Sequence, residues 1–255
     1  NDLHGCFKVG AHQNRRRRLI DPLYVMLSKI CASGVQEIHV NVKKNQFLVE
    51  KHLTKRVTTF YPGIELSDRF RDQLINTGTI LSVGVLYDYR NYENLIRAVG
   101  LLNSDGRKLS VTVVGRYDHN IEYKNYLSSL ADSLSVECKF LGQISDQQFE
   151  TVWDSADIFT FLNVDQSWGL SIFESASQNI PTVISESVGA VELLGDFSPV
   201  VKCDATSPES VAKGILEMLA MKEQVPDSLL KQRDYLESMT WDNMYSVPAY
   251  SRYIS

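Results

Sequence analysis

Residues 158–184 read IFTFLNVDQSWGLSIFESASQNIPTVI: an apolar run, a polar turn centred on Gly169, a helix-length segment, and a second apolar run. A strand that ends in a polar turn and enters a helix leaves several backbone N–H groups aimed at the turn, where they can meet an anion. Gln166 and Glu174, eight residues apart, bracket this turn. The stretch is therefore a strand–turn–helix–strand unit with a candidate phosphate site.

The same alternation extends in both directions. Before it come ILSV and NYENLIRAVGLL, LSVTVV and IEYKNYLSSLADSL, then VECKFL and SDQQFETVWDSA. After it come VGAVELLG, PVV and PESVAKGILEMLAM. Unbroken apolar strands separated by amphipathic helices predict an α/β fold, a Rossmann-like parallel sheet with helices on both faces. In such sheets ligands bind at the carboxyl ends of the strands. Ser145 with Gln148 predicts a capping box, and Pro208 after Ser207 predicts a helix start.

The first sixty residues have a different rhythm. Asp21 and Pro22 predict the start of a helix with Leu23, Met26, Leu27 and Ile30 on one stripe, closed by Gly34. EIHVNV alternates as a strand, a helix is expected from Lys44, and VTTF leads to a turn at Tyr61-Pro-Gly63. This part is too short to close a sheet of its own and reads as the end of another α/β layer. The expected division is residues 1–62, 63–240 and a closing helix in 241–255.

With 255 residues, 44% of them hydrophobic, the chain can bury a substantial core. A formal charge of -5 argues against a general nucleic-acid binder, because phosphate backbones reward an excess of Lys and Arg. Cys6, Cys31, Cys138 and Cys203 show no C-x-x-C spacing and read as core filler, and no N-x-[ST] sequon occurs, which favours a reducing cytoplasm. No apolar run approaches membrane-spanning length. Without an initiating Met, the chain is expected to continue a longer protein.

YPGIEL, SVGVLYDYRNYENLIRAV, VTVVG, FLGQISDQQF, SADIFTFL, WGLSIFES and NIPTVISES, in this order and spacing, resemble the donor-binding half of retaining glycosyltransferases of family 4. TWDNMYSVPAYSRY resembles that family's closing helix. The resemblance covers almost the whole chain. It implies a GT-B fold whose amino-terminal domain is incomplete here, and metal-independent, cofactor-free transfer from a UDP- or GDP-sugar. The implied acceptor is a glycan or glycolipid in bacterial polysaccharide or lipopolysaccharide assembly.

The resemblance also assigns residues. Glu174 corresponds to the carboxylate that holds the ribose hydroxyls, and Gln166 to an acid near the donor sugar. An amide in that place carries no charge to favour positive charge at the anomeric carbon. The backbone of Ser167, Trp168, Gly169, Leu170 and Ser171 is expected to meet the diphosphate. Gly84, Arg90 and Asn91 form a second cluster, in which the family's usual cation after the Gly is replaced by Val85. Arg90 fits the remaining phosphate cation, and Arg116, after Gly115, is a substitute for the lost one. Gln143 and Ile144 correspond to a base-contacting turn.

Each residue has a plainer reading. Ser171 and Glu174 also fit a capping box, Arg90 a solvated charge near a helix start, and Gln143-Ile144 a lead into the capped helix. His39, His52 and His119 have no partner at metal-ligand spacing. His4 loosely matches a first-domain His beside the reacting sugar. Arg15, Arg16, Arg17 and Arg18 before an amphipathic helix fit either a solvated loop or contact with an anionic membrane surface, peripheral on its inner face. Two function classes follow: a transferase, or a scaffold subunit that kept the fold and lost the chemistry. A Rossmann dehydrogenase is disfavoured because no G-x-G-x-x-G follows a predicted strand.

Overall fold

The computed structural model describes residues 26–71, 75–164, 166, 168–194, 200–221 and 229–246. Contacts divide the chain into two compact units, Asn1–Pro62 and Gly63–Ser255.

In the first unit, helical residues 26–33 (α1) precede β1 (Glu37–Val40), α2 (Lys43–His52) and β2 (Arg56–Thr59). The two strands pair in parallel, Glu37 opposite Arg56 through Val40 opposite Thr59. Their small core is Ala32, Val49, Leu53 and Val57, with Ile38 and Val40 packed against it. Of the expected stripe, Met26, Leu27 and Ile30 are exposed, while Ser28 and Ala32 are buried; Leu23 and the expected helix start at Asp21 and Pro22 lie outside the described residues. Ser28 and Ala32 lie one helical turn apart, so small residues form the packed face of α1.

The second unit holds six parallel strands: β3 (Thr79–Val83), β4 (Ser110–Val114), β5 (Cys138–Gly142), β6 (Ile158–Phe161), β7 (Thr182–Ser185) and β8 (Val200–Cys203). Their order is β5-β4-β3-β6-β7-β8. The chain runs outward from β3 to β5, then returns to the other side of β3 with β6. That reversal opens a crevice at the carboxyl ends of β3 and β6, the position where open α/β sheets take ligands.

Between the strands lie α3 (Tyr92–Ser104), α4 (Ile121–Ser133), α5 (Asp146–Ser155), α6 (Leu170–Ser177) and α7 (Val191–Leu194), and α8 (Pro208–Met221) follows β8. Buried Tyr92, Leu95, Ile96, Val99 and Leu102 form one stripe of α3. Central strands β6 and β7 are buried along their whole length, whereas edge strand β5 alternates between half-buried and exposed residues. Hydroxyls inside the sheet are satisfied across strands: Ser82 Oγ donates to Thr160 O at 3.0 Å and Thr160 Oγ1 to Leu81 O at 3.2 Å.

The predicted junctions form. Gln148 N donates to Ser145 Oγ at 3.3 Å while Ser145 N donates to Gln148 Oε1 at 3.0 Å, a reciprocal capping box on α5. Ser210 N donates to Ser207 Oγ at 3.2 Å as α8 begins at Pro208. Helices α9 (Leu229–Ser238) and α10 (Trp241–Ser246) belong to the same unit, where Ile64 N donates to Met239 O at 3.0 Å. The cysteines differ from expectation: Cys203 is buried and Cys138 half-buried, but Cys31 is exposed. Burial pushes the Cys138 and Cys203 thiols up to about 12.

Candidate functional site

The carboxyl ends of β3 and β4 are pressed together at two glycines. Gly84 and Gly115 have φ of 152° and 153°, and a Cβ on Gly115 would lie 2.0 Å from Gly84 O. No side chain can intervene, so the backbone itself lines a cleft of about 400 Å³ with Val85, Arg116, Gln143 and Ile144. Gln143 and Arg116 are exposed and Ile144 is half-buried. Tyr92 OH donates to Gly84 O at 2.8 Å and fixes the turn from below. Burial raises the Tyr92 pKa, so the phenol keeps its donor proton.

Arg90 lies across this turn. A Cβ on Gly84 would stand 2.0 Å from Arg90 Nη1 and 2.3 Å from Cζ, which means that the guanidinium covers the glycine's open face. Its Nη1 donates to Val83 O at a long 3.4 Å, and its Nε is buried without a hydrogen-bond partner. Arg90 is thus half-buried and not the solvated charge of the plainer reading. A buried guanidinium N–H without a partner is costly and fits an anion bound at the turn.

Asn91 acts as a brace. With φ of 53° it sits in the left-handed region, and its Nδ2 donates to Leu162 O at 2.8 Å. Val164 N donates to Tyr89 O at 3.0 Å beside it. These two bonds tie the loop after β3 to the loop after β6 across the crevice.

The Gly169 turn starts α6. Gly169 is its N-cap with φ of 146°, and an added Cβ would meet Ile172 Cδ1 at 2.9 Å. Trp168 is buried and stacks on Phe173 with ring centroids 4.8 Å apart, while Leu170 is exposed and Ser171 half-buried. Ser167 lies outside the described residues, as do His4 and Arg15 to Arg18. The capping box offered for Ser171 and Glu174 does not form: the helix already starts at Leu170, and no side chain caps it. Glu174 therefore sits one position beyond the first turn and is released from that structural role.

Glu174 is half-buried in a cleft of about 560 Å³ lined also by Glu65, Phe149, Trp153, Leu170 and Trp241. Burial, and secondarily the Glu65 charge, raise its pKa above the ordinary glutamate value. Gln166 is half-buried on the loop before α6. Its Oε1 accepts from Asn163 Nδ2 at 3.2 Å, and its backbone O accepts from Gly189 N at 2.9 Å. Phe149 lines both clefts and so links Glu174 to the Gly84–Gly115 turn. Phe149, Tyr92 and Glu65 were not among the candidates, although each stands within a quoted segment, in FLGQISDQQF, SVGVLYDYRNYENLIRAV and YPGIEL respectively. His119 is exposed, with its ring 4.7 Å from that of Tyr87.

Residues 67–233 match the family model described as Glycosyl transferases group 1. An uncharacterised glycosyltransferase of Methanocaldococcus jannaschii is 27% identical over 171 residues, covering 65% of this chain and 42% of that protein. The O-antigen chain mannosyltransferase RfbU of Salmonella typhimurium is 23% identical over 192 residues, covering 75% of this chain and 51% of that protein. The chain thus spans about half the length of these curated relatives. Among solved structures, sucrose-phosphate synthase from Thermosynechococcus elongatus aligns with a TM-score of 0.77 at 14% identity, over 99% of this chain and 66% of that one. Anabaena Alr3699/HepE in complex with UDP-glucose aligns with a TM-score of 0.73 at 13% identity, over 94% and 70%. With the strand order and strand-end turns described above, these matches lead to one conclusion: the chain belongs to the group 1 glycosyl transferases and has the Rossmann-like architecture of their GT-B fold.

Proposed function

We propose that this chain carries the donor site of a retaining, metal-independent glycosyltransferase of family 4, acting with a UDP- or GDP-sugar. The observation that carries the reading is Arg90, whose guanidinium covers Gly84 with a buried Nε that has no partner. A diphosphate oxygen at the turn would supply the acceptor that this Nε lacks. The ribose belongs on Glu174, a carboxylate able to accept from two adjacent hydroxyls. The base belongs against Gln143 and Ile144, which line the Gly84–Gly115 cleft.

In the transfer, the bond between the anomeric carbon and the diphosphate oxygen breaks, and its electron pair leaves with the diphosphate. The acceptor hydroxyl oxygen bonds to the same carbon, and its proton passes to the departing phosphate. Arg90 and the amides at the start of α6 stabilise the negative charge of the leaving group, in place before the reaction starts. Gln166, near the donor sugar, contributes a hydrogen bond without charge.

On this reading residues 63–240 form the donor domain, residues 1–62 the end of an acceptor-side domain, and 241–255 a closing segment. The acceptor is a glycan or glycolipid, in keeping with the O-antigen mannosyltransferase among the relatives. A lipid-linked acceptor would bring the protein to the cytoplasmic face of a membrane, with Arg15 to Arg18 as the basic contact. Among the described residues no helix is long and apolar enough to cross a membrane.

The test is release of nucleoside diphosphate from a panel of UDP- and GDP-sugars. Release from one donor, strongly reduced by Arg90→Ala, is expected. Binding without release from any donor would favour the scaffold subunit, which the uncharged Gln166 and Val85 make the second reading.

A further inference from the structure

The parallel register sets Val83 of β3 opposite Val114 of β4. The ladder continues past the strand ends, with Gly84 N donating to Val114 O at 2.7 Å and Leu86 N to Arg116 O at 3.0 Å. Gly84 therefore lies beside Gly115, and Val85 beside Arg116. Neighbouring strands are about 4.8 Å apart, less than the length of an arginine side chain. A guanidinium rooted at position 116 can thus reach the space that one rooted at position 85 would fill.

Val85 and Arg116 line the same cleft of about 400 Å³, and Arg116 is the only cation among the described residues that line it. Arg116 is exposed, with its backbone O held by Leu86 N. Arg90, by contrast, lays its guanidinium over Gly84. One guanidinium serves one phosphate group with its bidentate fork. A ligand with two phosphates on this turn gains from a second cation, which the apolar Val85 cannot provide.

We propose that Arg116, at the end of β4, is that second cation and that it selects a nucleoside diphosphate over a monophosphate. This rests on the donor-site reading above. Arg90 holds the phosphate seated on Gly84, and Arg116 holds the other.

The experiment is calorimetric titration of UDP, UMP and uridine, with the GDP series in parallel, into the wild type, Arg116→Ala, Arg116→Lys and Arg116→Ala/Val85→Arg. Arg116→Ala is expected to weaken diphosphate binding by about tenfold, to weaken monophosphate binding much less, and to leave the nucleoside unchanged. Arg116→Lys should keep most of the affinity, and the double variant should regain most of it because the charge returns to the same space. Thermal melts of all four proteins should coincide, since Arg116 is exposed. If the wild type binds a diphosphate and Arg116→Ala binds it equally well, the inference fails while the donor reading stands. Equal weakening for diphosphate and nucleoside would make Arg116 a structural residue and also overturn the proposal. If the wild type binds no nucleoside diphosphate, the donor reading fails and the proposal with it.

Discussion

Adding one methyl group to Gly84 or to Gly115 should separate the binding role of the strand-end turn from its structural role. Both residues have a positive φ, 152° and 153°, which an alanine adopts at a cost of about 1–3 kcal/mol. The obstacles differ. At Gly84 the new Cβ would meet Arg90 Nη1 at 2.0 Å, the far end of a flexible side chain that can swing aside. At Gly115 it would meet Gly84 O at 2.0 Å, Gly84 C at 2.4 Å and Val85 N at 2.9 Å, all of them backbone atoms next to the strand ladder. Forcing two paired strands apart adds an overpacking cost of about 1–3 kcal/mol or more. Gly84→Ala should therefore lose about 1–3 kcal/mol of stability, and Gly115→Ala about 2–6 kcal/mol. The order reverses for binding per unit of stability lost, because Gly84→Ala evicts the guanidinium from the proposed phosphate site. Urea denaturation gives the stabilities, and titration of a nucleoside diphosphate into the folded variants gives the affinities. Equal stabilities would refute the close approach of β3 and β4. Unchanged affinity in Gly84→Ala would refute the role of Arg90.

Three further predictions follow from single residues. The raised Glu174 pKa means that the folded protein binds more protons than the unfolded chain from the ordinary glutamate range upward, so this group's stability contribution is present in acid and lost as pH rises through the folded pKa. Glu174→Gln should thus be more stable than wild type at neutral pH but not in acid, while nucleoside diphosphate affinity falls by roughly 1–3 kcal/mol; a stability difference independent of pH would contradict this. Ser145→Ala removes one half of the α5 capping box and should cost about 1 kcal/mol in thermal or urea unfolding, with no loss if the cap is incidental. Gln166→Glu should preserve or raise turnover with a neutral donor, because a carboxylate favours positive charge at the anomeric carbon; loss with every neutral sugar nucleotide would point to an acidic donor.

The architecture was legible because the strands of the second unit are short apolar runs and several helices have their own punctuation, such as Ser145 with Gln148 or Ser207 with Pro208. Periodicity reports which faces are buried, and here it reported them well from Thr79 onward. It carries no information on strand order, so the place of β6 beside β3, which creates the crevice, came only from the structure. The same limit applies to Asn91: its amide bonds the carbonyl of Leu162, 71 residues away, and local pattern cannot show this. Glu174 had two local readings, and the position of the helix start at Leu170 decided against the cap. In α1 the pattern marked an apolar stripe but not what covers it: Met26, Leu27 and Ile30 are exposed and the small residues Ser28 and Ala32 are packed.

A crystal structure of the protein with the nucleoside diphosphate that binds it most tightly tests the donor-site account most directly. The account predicts the phosphates over Gly84 within hydrogen-bond reach of Arg90, the ribose hydroxyls on the Glu174 carboxylate, and the base against Gln143 and Ile144. A nucleotide bound away from the carboxyl ends of β3 and β6, or one whose ribose leaves Glu174 without contact, would contradict it.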